Sequence, residues 1–346
     1  MNPVAFENSN LRFAIVRHLF GRLVQVIFVF NFALFTLECL SADPLNLTQT
    51  IPLTGVKGRF DHFSIDLQGK RVFVAALGNN TVEVIDVAAG KRLQSIAGMS
   101  KPQGILFLPT GKLVVANGED GTVKSFESVT FNPLNNLSGL PDADNVRQDP
   151  HSTRVWIGYG DGALVAAVGG LTKEATAIKL PGHPESFQLE KQGSRIFINV
   201  PDSKQIAVAD AQTLRVQANW PMDKFQANFP MALEESNHRL CVGCRKPPRL
   251  VILETETGKH TADLAISGDT DDLFYDAKRK RIYISCGEGF IDVVAQSSPD
   301  SYERIAKIPT AAGARTCFFS PDLDRLFLAV PARGHQNAEL RVYQPE

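Results

Sequence analysis

Apolar residues recur along this chain in short runs, each opened by a basic residue and closed by a turn of Gly, Asn, Asp or Pro. Seven such segments begin at Arg71 (RVFVAALGNN), Lys112 (KLVVANGEDG), Arg154 (RVWIGYGDG), Arg195 (RIFINVPDS), Arg239 (RLCVGCRKPP), Arg281 (RIYISCGEGF) and Arg325 (RLFLAVPARG), at spacings of 41, 42, 41, 44, 42 and 44 residues. Runs of four to six residues rich in Val, Ile, Leu and Phe between such turns are strands joined by hairpins. Each segment is preceded by another apolar run (FSIDLQGK, ILFLPTGK, SFQLEKQGS, LFYDAKRK) and followed by a third (TVEVIDVAAGK, QIAVADAQT, RLVILETETGK). A weaker fourth run (KRLQSIA, EATAIKL, HTADLAI, ERIAKIP) ends the unit. Four antiparallel strands per repeat predict an all-β protein, a seven-bladed β-propeller over 43–346. The last unit supplies only three strands, ending at ELRVY (339–343), while LNLTQTIPL (45–53) precedes the first full unit. If 45–53 is the outermost strand of the last blade, the ring closes without an exposed sheet edge.

Residues 1–42 stand apart. Arg12, Arg17, His18 and Arg22 precede an uncharged apolar run, Leu23–Leu37, and the small residues Ser41 and Ala42 follow it. A spanning helix needs about 20 residues, so this run reads as a secretory signal, with an uncleaved N-terminal anchor as the alternative. Either one makes the propeller an exported protein, periplasmic or extracellular, that meets a membrane only through its N-terminus. Cys39 belongs to this segment. The remaining Cys241, Cys244, Cys286 and Cys317 are too few for a disulfide framework, and no second Cys pair or His follows Cys241 and Cys244 at metal-ligand spacing, so buried strand positions are expected.

The YVTN-type β-propeller repeat is the family that blade 1 resembles, through RVFVAALGNNTVEVIDVAAGK with its Gly-Asn turn and V-x-V-I-D strand. The likeness recurs at SKQIAVADAQT and PPRLVILETETGK. It implies the fold across 43–346 and selects no chemistry, since similar propellers serve as binding proteins, lactonases and electron-transfer dehydrogenase subunits. The chain departs from WD repeats, because only Trp156 and Trp220 are present and neither adjoins Asp.

Composition adds an exclusion. With 36 Lys+Arg against 37 Asp+Glu and a net charge of −1 over 346 residues, nothing favours a nucleic-acid partner. A monomer is expected, with a small molecule or a protein as partner.

In an antiparallel blade the lead-in to the first strand and the second-to-third turn lie on one face, around the mouth of the central channel. The lead-ins supply Arg59, Asp61, His62, Gln103, Asp142, Asp144, Asn145, His183, Glu185, Asn228, Asp269, Asp271, Asp272 and Arg315, and the turns add Asn79, Asn80, Glu119, Asp120, Asp161, Arg245, Lys246 and Glu288. The candidate ligand-binding set is Asp61, His62, Asp144, Asn145, His183, Glu185, Asp271, Asp272, Arg245 and Arg315. Imidazole and carboxylate also suit a divalent cation, for which His62, His183, Asp61 and Glu185 are the candidates, although no cofactor is required. The competing reading is that Asp and Asn here cap turns and strand starts. Arg245, Lys246, Arg249 and Arg315 either clamp an anionic group or balance Asp269, Asp271 and Asp272. Three functions follow: a binding propeller, a metal-assisted hydrolase or lactonase, or an electron-transfer subunit, and the sequence does not decide whether the protein is an enzyme.

Overall fold

The computed structural model describes residues 43–160, 162–167, 171 and 177–346. The leader or anchor expected at 1–42, Cys39 within it, and Asp161 lie outside the described residues. Residues 43–346 form one compact unit of seven four-stranded antiparallel sheets, with no α-helix among the described residues. The innermost strands, in blade order, are Phe63–Asp66, Pro102–Leu108, Val146–Gln148, Phe187–Leu189, Gln226–Glu234, Thr270–Asp276 and Thr316–Ser320. The ring closes as the pattern predicts: Leu45–Pro52 pairs antiparallel with Glu339–Pro345, from Leu45 opposite Pro345 to Pro52 opposite Glu339. Leu45, Ile51 and Leu53 are buried there, which joins the two ends of the chain in one sheet without a covalent link.

Position in the blade explains the hydrophobic pattern. The second strand has neighbouring blades on both faces, so Arg71–Ala76, Arg195–Val200, Arg281–Cys286 and Arg325–Val330 each bury every residue after the first. The outermost strands Arg215–Pro221 and Ser301–Pro309 touch the core on one face and largely alternate part-buried with exposed. Cys241, Cys244, Cys286 and Cys317 are free and buried in the interior, as expected of strand positions. Burial pushes the Cys244 thiol up to about 12, so it stays protonated and unreactive at neutral pH.

The basic residue that opens each repeat has a role the pattern alone did not disclose. Arg71 donates to the Ser128 carbonyl of the next blade at 2.6 Å, Arg154 to the Ala211 carbonyl at 3.2 Å and Arg195 to the Thr255 carbonyl at 2.7 Å. Arg239 bonds Asp300, and Arg281 donates to the carbonyls of Pro44 and Glu346 in the closing blade at 3.2 and 2.6 Å. Four arginines therefore tie a blade to the third-to-fourth turn of its successor, and Arg281 ties blade 6 to the corresponding strand ends of the closing blade, on the face opposite the channel mouth described next. Arg71 and Arg195 are held in place by Asp66 and Glu190 of their own blades, at 2.6 Å each.

Candidate functional site at the channel mouth

Strand register builds the site. Phe63 pairs with Val74, Ile105 with Val115, Val146 with Ile157, Phe187 with Ile198, Met231 with Val242, Leu273 with Ile284 and Cys317 with Leu328, so these are equivalent positions in the seven blades. Two residues earlier in each blade stand Asp61, Gln103, Asp144, Glu185, Phe229, Asp271 and Arg315, and all seven line one pocket of about 170 Å³ at the channel mouth. The backbone holds them alike: the Asp61, Asp144 and Glu185 amides donate to the carbonyls of Ala75, Gly158 and Asn199 at 2.8, 2.9 and 3.0 Å. Four of the seven ring positions are carboxylates. The next ring down holds His62, Gly104, Asn145, Ser186, Pro230, Asp272 and Thr316.

His62 forms a septum at this second ring. Its Nδ1 faces Asp272 Oδ1 at 3.4 Å, and its Nε2 lies 3.0 Å from Asn145 Nδ2, 3.6 Å from Asp144 Oδ1 and 3.7 Å from Asp61 Oδ1. Burial opposes its charge, but the charge and hydrogen bond of Asp272, with Asp61 and Asp144 behind it, raise the imidazole pKa to about 10. His183 is likewise opposed by burial and raised to about 9 by Asp144, by the Gly160 carbonyl to which its Nδ1 donates at 2.8 Å, and by Glu185.

The carboxylates separate according to their cations. Asp144 is buried, yet His183 and His62 hold it below the usual carboxylate range. Asp61 is pushed up to about 7 by burial, partly offset by His62 and with Asp144 adding to the rise. Burial and the Asp144 charge push Glu185 up to about 8, against His183 alone. Asp271 is raised by burial and opposed by Arg245 and Arg315. The Arg245 guanidinium bonds Asp271, donates to the Thr270 carbonyl at 2.7 Å and stacks 3.8 Å over the Phe229 ring. Arg315 bonds Asp269 at 2.9 Å and Asp271 at 3.1 Å, while Arg249 pairs with Asp263 at 3.1 Å. Charge balance, not a free anion clamp, describes these three arginines.

All ten candidate residues are therefore brought together, nine lining the pocket and Asp272 bonded beneath it. Several turn residues instead cap backbone: Asp120 accepts from the Thr122 amide, Asn80 from the Lys101 amide and Glu288 from the Gly268 amide. Asn228 does not face the mouth; it is buried and donates to Asn199 Oδ1 at 2.9 Å, while its neighbour Phe229 takes the ring position. Counting back ten residues from Arg239 reaches Phe229, and the same count from Arg71, Arg154, Arg195, Arg281 and Arg325 reaches the other ring members of those blades, so the signal was present in the repeat. No three or more His, Cys, Asp or Glu among the described residues are grouped to hold a metal ion. The four metal candidates stand in the pocket, but both nitrogens of His62 and Nδ1 of His183 face protein partners.

Two buried acceptors at the base of this pocket lack a hydrogen bond: Asp144 Oδ1 and Asn145 Oδ1. Unsatisfied buried acceptors are uncommon in folded proteins and are expensive when nothing fills them.

No protein-family model matches the chain, and no curated protein matches it. Its structure is similar to a chain in a crystal structure of the mitotic checkpoint complex, with a TM-score of 0.72 at 14% identity, over 86% of this chain and 91% of that one. It is also similar to a chain of Kuenenia stuttgartiensis hydrazine synthase, with a TM-score of 0.70 at 17% identity, over 80% of this chain and 94% of that one. These likenesses show the fold. The chain is a seven-bladed β-propeller, and at such identities neither neighbour's activity transfers.

Proposed function

We propose that this chain is an exported propeller of the YVTN type that binds a small ligand rich in hydrogen-bond donors at its channel mouth. The observation that carries the reading is Asp144 Oδ1, a buried acceptor that makes no hydrogen bond and only faces His62 Nε2 at 3.6 Å, in a pocket ringed by four carboxylates. An ammonium, amide or hydroxyl donor would satisfy it. Export rests on the basic-then-apolar pattern of 1–42, and the family type on the repeat itself. The test is thermal denaturation of the protein with a panel of small amines, polyols and amides. A member that raises the melting temperature of the parent but not of Asp144→Asn supports the reading, and no stabilisation by any member overturns it.

A second reading, acid–base hydrolysis, is favoured by one contrast: Glu185 is raised to about 8 while neighbouring Asp144 is held low, which supplies a proton donor and an acceptor in one pocket. Turnover of a lactone or ester that is lost in Glu185→Gln, with ligand binding retained, separates this from binding alone.

A further inference from the structure

Below the His62 septum the channel widens into a second cavity of about 520 Å³, within the range of small-molecule sites and lined by the middles of all seven inner strands. One residue beyond the Phe63 ring, the equivalent positions are Ser64, Leu106, Arg147, Gln188, Ala232, Phe274 and Phe318, and every one of them lines this cavity. This ring holds a single charge, the Arg147 guanidinium. Across the ring from blade 3, Phe318 stacks on Phe63 with centroids 6.4 Å apart and meets Phe274 edge-on at 5.6 Å, so blades 6, 7 and 1 form an aromatic wall. Phe274 and Phe318 keep part of their surface open to the cavity.

Arg147 has no ion-pair partner among the described residues. Its Nη1 donates only to its neighbour's carbonyl, Val146 O, at 3.0 Å, and its guanidinium lies 5.7 Å from the Phe187 centroid. The carboxylates that line the cavity are already engaged. Asp272 accepts from the Cys317 amide at 3.0 Å and faces His62, and Glu235 accepts the Lys191 and Gln192 amides at 2.6 and 3.2 Å. A guanidinium in a chamber of mixed apolar and polar lining is stabilised by a planar oxyanion that its fork of donors can grip, and open aromatic surface is stabilised by an apolar body. Burial lowers the Arg147 pKa, opposed by Asp272 and Asp144, which is the environment in which an added carboxylate gains most.

We propose that the lower channel is a second binding site, distinct from the mouth, for a small amphipathic carboxylate whose head group bonds Arg147 and whose apolar body lies against Phe274 and Phe318. The site does not depend on the function proposed for the mouth.

Isothermal titration of the purified protein with 4-phenylbutyrate and with decanoate tests it, using 4-phenylbutyramide as the neutral isostere. Saturable 1:1 binding of at least one acid is expected, with the amide about ten-fold weaker than phenylbutyrate, the loss of a charge-assisted contact. Arg147→Gln should lower acid affinity about ten-fold and abolish the acid–amide difference, while Gln103→Ala, a neutral change at the mouth, should leave acid binding within about two-fold. The acid–amide comparison needs no variant, so it stands even if Arg147→Gln fails to fold. No heat with either acid at millimolar concentration, equal binding of acid and amide, or loss of acid binding in Gln103→Ala would each overturn the proposal.

Discussion

The two faces of this propeller use the same repeat in opposite ways. On the face of the hairpin tips, five arginines at equivalent positions do one job, tying five of the seven blades to the next through a main-chain carbonyl or an acid. At the channel mouth the equivalent positions hold four carboxylates among an amide, an aromatic ring and a guanidinium: Asp, Gln, Asp, Glu, Phe, Asp and Arg in blade order. Uniformity marks what the ring needs to hold together, and variation marks where the sequence builds an asymmetric site on a symmetric frame. The mouth tolerates buried acceptors without hydrogen bonds and carboxylates that resist ionisation, and among the described residues the strapped face shows neither.

Removing the closing strand should have the largest effect, because it opens both faces at once. Deleting 43–55 strips Leu45, Ile51 and Leu53 from the core and exposes the edge of Glu339–Pro345. Three buried aliphatic side chains at about 1.5–3 kcal/mol each, with a seven-residue ladder besides, exceed what most domains have in reserve. Loss of a cooperative melt is expected, and a truncated protein that melts like the parent would mean the ring closes elsewhere.

Breaking one strap should cost less and spare the mouth. Arg195→Ala removes bonds to Glu190, Thr255 and Glu256 and leaves the Glu190 carboxylate without its cation. A loss of about 2–3 kcal/mol is expected in denaturant melts, with ligand binding at the mouth unchanged. Equal stability of variant and parent would deny the straps a structural role.

The pattern of apolar runs disclosed the blade number and strand order because short apolar runs bounded by turns recur seven times at spacings of 41 to 44 residues, and it disclosed the closing strand because the last unit lacks a fourth run. The side of the disc was legible too, since antiparallel connectivity alone decides which turns share a face. What stayed hidden was side-chain direction. Asn228 and Phe229 are adjacent, and polarity favours Asn228, although the ten-residue count from Arg239 points to Phe229, which faces the mouth while Asn228 is buried between blades. Arg147 gave no signal because a basic residue in an inner strand resembles any other until the cavity around it is seen. The straps gave no signal either, since four of the five accept through main-chain carbonyls of the next blade, which no residue type announces.

pH separates the faces further. His62 and His183 have pKa values raised above the unfolded value, to about 10 and about 9, so their contribution is full below about 6.5 and is lost as pH rises through those values. Asp61 and Glu185, also raised, act in the same direction, because the folded state binds protons the unfolded chain has released. Stability should therefore fall on the order of 3 kcal/mol between about pH 6.5 and 9.5, as read by urea midpoints. The His62→Ala, His183→Ala double variant should lose most of that slope, whereas Arg195→Ala should shift the whole curve down without changing its shape. A flat profile in the parent would show that the mouth does not hold these protons.

The smallest effect sharpens the comparison within the mouth itself. Glu185 has the least cationic support of the four ring acids: burial and Asp144 drive it up to about 8, and His183 alone opposes them. Glu185→Gln keeps the shape and removes the ionisation, so at pH 4, where Glu185 is largely neutral both folded and unfolded, the variant should match the parent within about 0.5 kcal/mol. At pH 6 the unfolded parent has released a proton that its folded state keeps and the variant has none to release, so the variant should be the more stable by about 2 kcal/mol, a gap that levels off above pH 8. The same substitution at Asp144, whose ionised form His183 and His62 stabilise, should destabilise at both pH values. Opposite signs at Glu185 and Asp144, two equivalent positions in adjacent blades, would show that their different cation supply, and not the repeat, sets their chemistry. Equal responses would reduce the mouth to a ring of solvated caps.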